Sequence, residues 1–194
     1  FRECLAHSMR LAGMLRMDHV MGFHRLFWIP RGLRPRQGIY VRYPAQEWYA
    51  VLTLESQRNR CAVVGENLGT VPPEVQTALR RRGLLGMFVV QYELRPNLVS
   101  PLPEPPGSSV ASLNTHDMPT FASFWEGRDI RQRRESGLLD VHGAREESRR
   151  RVRMRAALAR WLRLKEASPR LSGQWLRLKG RAGRAAILRA CLRW

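Results

Sequence analysis

Three carboxylates in this sequence stand where acid–base or nucleophilic work could be done. They are Asp18 in "LRMDHVMGFHRLFWIPRG", Glu66 in "CAVVGENLG" and Asp117 in "VASLNTHDMP". Each comes at the end of a stretch that reads as a strand, and each has a polar neighbour: Arg16 and His19 around Asp18, Asn67 after Glu66, and His116 before Asp117. Ionised groups among large apolar side chains are costly unless they are paired or put to use. Cleavage of a glycosidic bond uses such a set. One ionised carboxylate attacks the anomeric carbon while a second, protonated one gives its proton to the leaving oxygen, and in retaining enzymes the two lie about 5–5.5 Å apart. Arg16 and Asp18 are two residues apart, so on a strand both side chains point to one face. The guanidinium would then keep Asp18 ionised, as a nucleophile requires. Glu66 has no neighbouring cation and follows "AVVG", a setting expected to favour the protonated form that a general acid needs. The competing reading of Arg16 and Asp18 is an ion pair that only stabilises the fold.

The elements that would position these groups can be read from the pattern. Residues 1–13 read as a helix, with Leu5, Met9 and Ala12 at helical spacing. "MLRMD" reads as a short buried strand, and "YPAQEWYAVLTLESQRN" as a helix with Pro44 near its start. "CAVVGE" is a continuous β-branched strand and "VPPEVQTALRRRG" a helix. "MFVVQYEL" and "VASLNTHD" are expected to be strands, separated by the Pro-rich loop "RPNLVSPLPEPPGSS". Beyond Pro119 the chain reads as helical: "TFASFWEG", a basic helix around 144–165, and "RAGRAAILRACLRW". Strands alternating with helices predict an α/β fold with parallel strands. Polar clusters at strand C-termini suit a (β/α)8 barrel, and equally a doubly wound sheet. Four strands are half of the eight that a barrel needs. The start at Phe1 and the helical finish therefore lead to the expectation of a partial barrel, its second half. Residues 1–127 would form the half-barrel catalytic region, and 128–194 a basic helical region that continues the same domain.

Composition sets the outer bounds. At 194 residues and 44% hydrophobic, the chain can bury a real core. No stretch approaches the ~18–20 apolar residues of a membrane span, and no signal peptide is evident. Three widely spaced cysteines, Cys4, Cys61 and Cys191, match no metal motif and fit free thiols in a reducing, cytoplasmic setting. His19 and His24 have no third ligand at a useful spacing, so no metal is expected, and His24 is placed in a loop or on the surface. The net charge of +18 is concentrated in residues 128–194, which hold 20 of the 34 basic residues. Acids and an apolar stripe are mixed into that region, which favours a solvated helix face over a phosphate-binding one. A basic nucleic-acid-binding module built on it is the non-enzymatic alternative. Trp28, Trp48, Tyr49 and Trp125 read either as buried aromatics or as platforms for sugar stacking.

The blocks "LRMDHVMGFHRLFWIP", "VVGENLGTVPPEV" and "NTHDMPTFASFWEGRDI" together resemble those of the 4-α-glucanotransferases, the amylomaltases or disproportionating enzymes of glycoside hydrolase family 77. Order and separation agree, with 48 residues from Asp18 to Glu66 and 51 from Glu66 to Asp117. The resemblance implies Asp18 as nucleophile, Glu66 as acid and then base, and Asp117 as the carboxylate that stabilises the transition state. It places Arg16, His19 and His116 at positions that bind sugar or carboxylate. It also implies transfer of α-1,4-glucan segments between maltooligosaccharides by retaining double displacement, with no cofactor and no membrane or nucleic-acid partner. The related alternatives are a retaining α-glucoside hydrolase and an inactive truncated remnant. The pattern is departed from at Asn67, where the family usually carries an acid. Asn67 is kept as a substrate-binding candidate without charge.

Overall fold

The computed structural model describes residues 1–166. In chain order its elements are α1 (Arg2–Met9), β1 (Met14–Met17), β2 (Arg25–Trp28), β3 (Ile39–Arg42), α2 (Ala45–Asn59), β4 (Ala62–Gly65) and α3 (Pro73–Arg81). There follow β5 (Gly86–Val89), α4 (Val90–Glu93), β6 (Ser109–Ser112), α5 (Phe121–Glu126), α6 (Arg128–Glu135) and α7 (Val141–Glu166). The helix expected over "RAGRAAILRACLRW" and Cys191 lie outside the described residues. Two compact units result: Phe1–Phe88 with Pro105–Val110, and Val89–Glu104 with the described residues from Ala111 onward. No helix among the described residues is long and apolar enough to cross a membrane.

In the first unit, β1 and β4 lie parallel, in register from Met14 with Ala62 to Met17 with Gly65. A parallel bridge from Val64 to Leu85 carries the pairing on to the segment that enters β5. Parallel neighbours need a crossover of a dozen or more residues, and α2 and α3 lie within the two connections. Leu5 and Met9 of α1, Tyr49 and Leu52 of α2, and Val75, Ala78 and Leu79 of α3 are buried around Val63 and Leu84. Burial of this kind, at about 25 cal/mol per Å² of apolar area, is what holds such short strands together. Gly65 is a packing requirement. A Cβ there would meet Leu79 Cδ2 at 3.0 Å and both Val20 methyl groups at 3.1 Å. Its absence lets α3 and the Val20 turn close on the end of β4, directly before Glu66.

An antiparallel hairpin, β2 with β3, pairs Arg25 with Arg42 and Trp28 with Ile39 and was not anticipated from the sequence. Its signals were present: two β-branched and aromatic runs flanking Pro30, Gly32, Pro35 and Gly38. Gly38 is obligatory, because a Cβ would stand 2.4 Å from the Phe27 ring and 2.8 Å from the Trp28 carbonyl oxygen.

In the second unit, two strand expectations are corrected. "MFVVQYEL" does not stay extended: the strand ends at Val89 and α4 takes over. Val90, Gln91 and Leu94 are all buried there. A continuous apolar run fits a buried helical turn as well as a strand, and here Gln91 decides it. Its backbone N–H donates to the Leu113 carbonyl and its side chain to the Pro119 carbonyl, at 3.2 and 3.1 Å. "VASLNTHD" is extended only to Ser112. Beyond it Asn114 Nδ2 donates to Pro119 O and Met118 N–H to Thr115 O, which turns the chain. Asp117 therefore sits in a loop past the strand.

The helices of this unit are held by ion pairs. Asp129 on α6 and Arg151 on α7 are joined by two bonds of 3.0 Å, with both side chains largely buried.

Candidate active site

Glu66 is the first residue beyond β4, and the end of β1 is folded back onto it. Its N–H donates to the Met17 carbonyl at 2.8 Å, and the Val20 N–H donates to its carbonyl at 3.1 Å. Its side chain is equally tied. Oε2 accepts the His19 N–H at 2.9 Å and Oε1 accepts the Leu68 N–H at 2.7 Å. Glu66 as a residue is 9% exposed. The apolar run before it suggested an apolar pocket, but the group meets two peptide donors, which the residue types alone do not reveal. His19 makes this possible by adopting a left-handed backbone conformation, φ 45° and ψ 55°. A non-glycine residue held there carries strain of about 1–3 kcal/mol that its surroundings must offset.

Asp18 follows β1 as Glu66 follows β4, so the paired strand ends present the two acids side by side. Asp18 is exposed, and Arg16 Nη1 meets its Oδ1 at 2.8 Å. The expected pairing of Arg16 with Asp18 on one face is therefore present. Arg16 Nε also donates to the Met87 sulfur at 3.5 Å. The His19 side chain is exposed beside Asp18.

Asn67 turns inward. Its Oδ1 accepts the Met87 N–H at 2.8 Å and its Nδ2 donates to Gln76 Oε1 at 3.2 Å. The amide thus bridges the end of β4, helix α3 and strand β5. Gly86 makes room for it, since a Cβ there would lie 2.9 Å from Asn67 Nδ2. Met87, Gln76 and Gly86 were not singled out from the sequence, where "GLLG" reads as a simple turn.

His116 and Asp117 belong to the second unit, where Nε2 and Oδ1 lie 3.3 Å apart and both side chains are exposed. The aromatic candidates divide. Tyr49 and Trp125 are buried, Trp48 stacks on Phe23, and Trp28 is 54% exposed with its indole N–H donated to Tyr43 Oη. His24, expected in a loop or at the surface, lies in the turn before β2 and is half-buried against Tyr49 Oη at 3.2 Å. Burial lowers its pKa, opposed by the charge of Glu74. Among the described residues, no group of three His, Cys, Asp or Glu side chains could hold a metal ion.

Residues 1–177 match the family described as 4-alpha-glucanotransferase, glycoside hydrolase family 77. The chain belongs to that family. It is 38% identical over 158 residues to a 4-alpha-glucanotransferase of Haemophilus influenzae, covering 81% of this chain and 23% of that protein. It is 40% identical over 144 residues to one of Mycobacterium tuberculosis, covering 72% and 20%. An amylomaltase crystal structure from Corynebacterium glutamicum superposes with a TM-score of 0.75 at 32% identity, covering 87% of this chain and 24% of that one. An amylomaltase from Streptococcus agalactiae in complex with acarbose shares the fold, with a TM-score of 0.59 at 16% identity, over 84% of this chain and 29% of that one. The chain therefore spans between a fifth and a third of the length of these proteins.

Proposed function

We propose that the chain supplies the catalytic carboxylates of a 4-α-glucanotransferase acting on α-1,4-linked glucans, within the second half of a (β/α)8 barrel. The observation that carries this reading is the parallel register of β1 and β4. Met17 and Gly65 form the last rung, and Asp18 and Glu66 are the next residues on two adjacent strands. Adjacent strands lie about 4.8 Å apart, close to the separation that retaining glycosidases use for their two carboxyl groups. Family membership supports the substrate class, and the parallel bridge from β4 to Leu85 supports the barrel.

In this mechanism the Asp18 carboxylate, aligned by Arg16, attacks the anomeric carbon. The bond to the glycosidic oxygen breaks as the Glu66 carboxyl gives that oxygen its proton. A glycosyl ester on Asp18 results, and the shortened glucan leaves. The 4-OH of an acceptor glucan then gives its proton to the Glu66 carboxylate and attacks the same carbon, expelling Asp18. Two inversions give net retention. Each Glu66 oxygen that accepts one peptide N–H keeps a second lone pair for the travelling proton. Asp117 serves as the third carboxylate, holding sugar hydroxyls as the ring flattens. Arg16, His19 and His116 bind carboxylate or sugar.

The test is incubation of the intact protein with maltotriose. Glucose together with maltooligosaccharides longer than the substrate is expected, and both should vanish in Asp18→Asn and in Glu66→Gln. Transfer that survives either substitution would refute the assignment. Glucose and maltose without longer products would make the protein a hydrolase.

A further inference from the structure

One row of the first unit can be followed across three strand positions. Arg16 pairs with Val64, and Val64 bridges to Leu85. Side chains repeat every second residue along a strand, so the next row is Asp18, Glu66 and Met87. Met87 is thus the third member of the row that holds the two proposed catalytic carboxylates. It touches the ion-pair partner of one and the chain neighbour of the other. Its sulfur accepts Arg16 Nε at 3.5 Å while Arg16 Nη1 reaches Asp18 at 2.8 Å. Its peptide N–H donates at 2.8 Å to Oδ1 of Asn67, the residue after Glu66. Asn67 is anchored in turn to Gln76 on α3 at 3.2 Å.

We infer that Met87 is a positioning residue of this site, its thioether fixing the Arg16 guanidinium over Asp18 and its peptide fixing the turn that carries Glu66. This rests on the proposed roles of Asp18 and Glu66. Two strand spacings, about 9.6 Å, separate β1 from β5, and only long side chains can meet across the intervening strand. Methionine is flexible enough to bridge that distance, and its sulfur is a weak acceptor that leaves Arg16 charged. An exposed arginine would otherwise sample many rotamers, and each departure from the aligned one lowers the fraction of competent enzyme. Gly86 belongs to the same device, because a side chain there would displace Asn67.

The experiment compares Met87→Leu, which keeps volume and peptide but removes the acceptor, with Met87→Gln, which restores an acceptor at similar reach. Transfer by the intact protein is measured against maltotriose concentration, with rates referred to the folded fraction from thermal melts and Asp18→Asn run alongside. Met87→Leu should lower kcat by about three- to tenfold with KM within about twofold of wild type, and Met87→Gln should recover most of the loss. A Met87→Leu enzyme with wild-type kcat would overturn the inference while leaving the roles of Asp18 and Glu66 intact. So would an equal loss in both variants, which would reduce Met87 to packing. Transfer undiminished in Asp18→Asn would instead overturn the proposed function, and this inference with it.

Discussion

The peptide N–H of His19 donates to Oε2 of Glu66 at 2.9 Å, so the residue after one catalytic candidate holds the side chain of the other. The contact depends on backbone, not imidazole, and exists because His19 is left-handed at φ 45°. Together with the Leu68 N–H at 2.7 Å, it gives each oxygen of the Glu66 carboxyl one peptide donor. The two carboxylates thus differ in kind: Glu66 is built into the fold, whereas Asp18 is open to solvent and, among the described residues, paired with Arg16.

That difference predicts unequal stability effects from two isosteric substitutions. Glu66→Gln replaces one acceptor oxygen with an NH2 group, so either the His19 or the Leu68 N–H loses its partner. An unsatisfied buried donor costs about 1–3 kcal/mol. Asp18→Asn removes only an exposed ion pair and should change stability by no more than about 0.5 kcal/mol. Urea midpoints of both variants decide the point. Equal midpoints would mean that the Glu66 bonds carry no net weight.

A second prediction concerns pH. Half-burial lowers the pKa of His24 below the ordinary value of 6.5, with the charge of Glu74 acting the other way. The unfolded chain therefore takes up this proton before the folded one does. The His24 contribution is fully present above about pH 6.5 and is lost as pH falls through the lower, folded value. Tyr49, which shares its hydrogen bond, is pushed up to about 12 by burial, with Arg82 pulling the other way. Its contribution is present below about pH 10 and lost as pH climbs toward the folded value. His24→Gln keeps a partner for Tyr49 Oη but does not titrate. Its unfolding midpoint should fall less than that of wild type between about pH 7.5 and about pH 5. Parallel pH curves for the two proteins would refute the assignment.

What could be read in advance follows from how local each signal is. β4 was legible because Ala62–Gly65 is a continuous apolar stretch closed by glycine, and α3 because Pro72 and Pro73 mark its start. The pairing of Arg16 with Asp18 needed only the two-residue period of a strand. The environment of Glu66 was not legible. It depends on the dihedral angles of His19 and on the peptide of Leu68, and peptide groups are the same in every residue. The surroundings of Asn67 were hidden for a similar reason. A polar residue after an acid reads as facing substrate, but its amide faces Met87 and Gln76, and only the juxtaposition of three elements reveals that. α4 was misread because Val90 continues the apolar run of β5, so residue type does not mark where the strand ends at Val89.

The last prediction concerns the second unit, where charge was expected to be surface decoration. Arg151 and Asp129 share two bonds of 3.0 Å with side chains 11% and 8% exposed. The Arg151 guanidinium also lies 3.7 Å over the Phe124 ring and donates to the Phe124 carbonyl. Removing one partner strands the other in a site that water barely reaches, which costs about 3–5 kcal/mol. Arg151→Met should therefore be strongly destabilising, and adding Asp129→Leu to it should recover part of the loss, because the orphaned carboxylate is gone. Arg133 and Glu147 join the same two helices, but their side chains are 41% and 37% exposed. Arg133→Met should cost no more than about 1 kcal/mol. Denaturant unfolding of the four proteins, wild type included, measures all of these terms. Equal costs for Arg151→Met and Arg133→Met would show that burial of the Asp129 pair adds nothing to its hold on the helices.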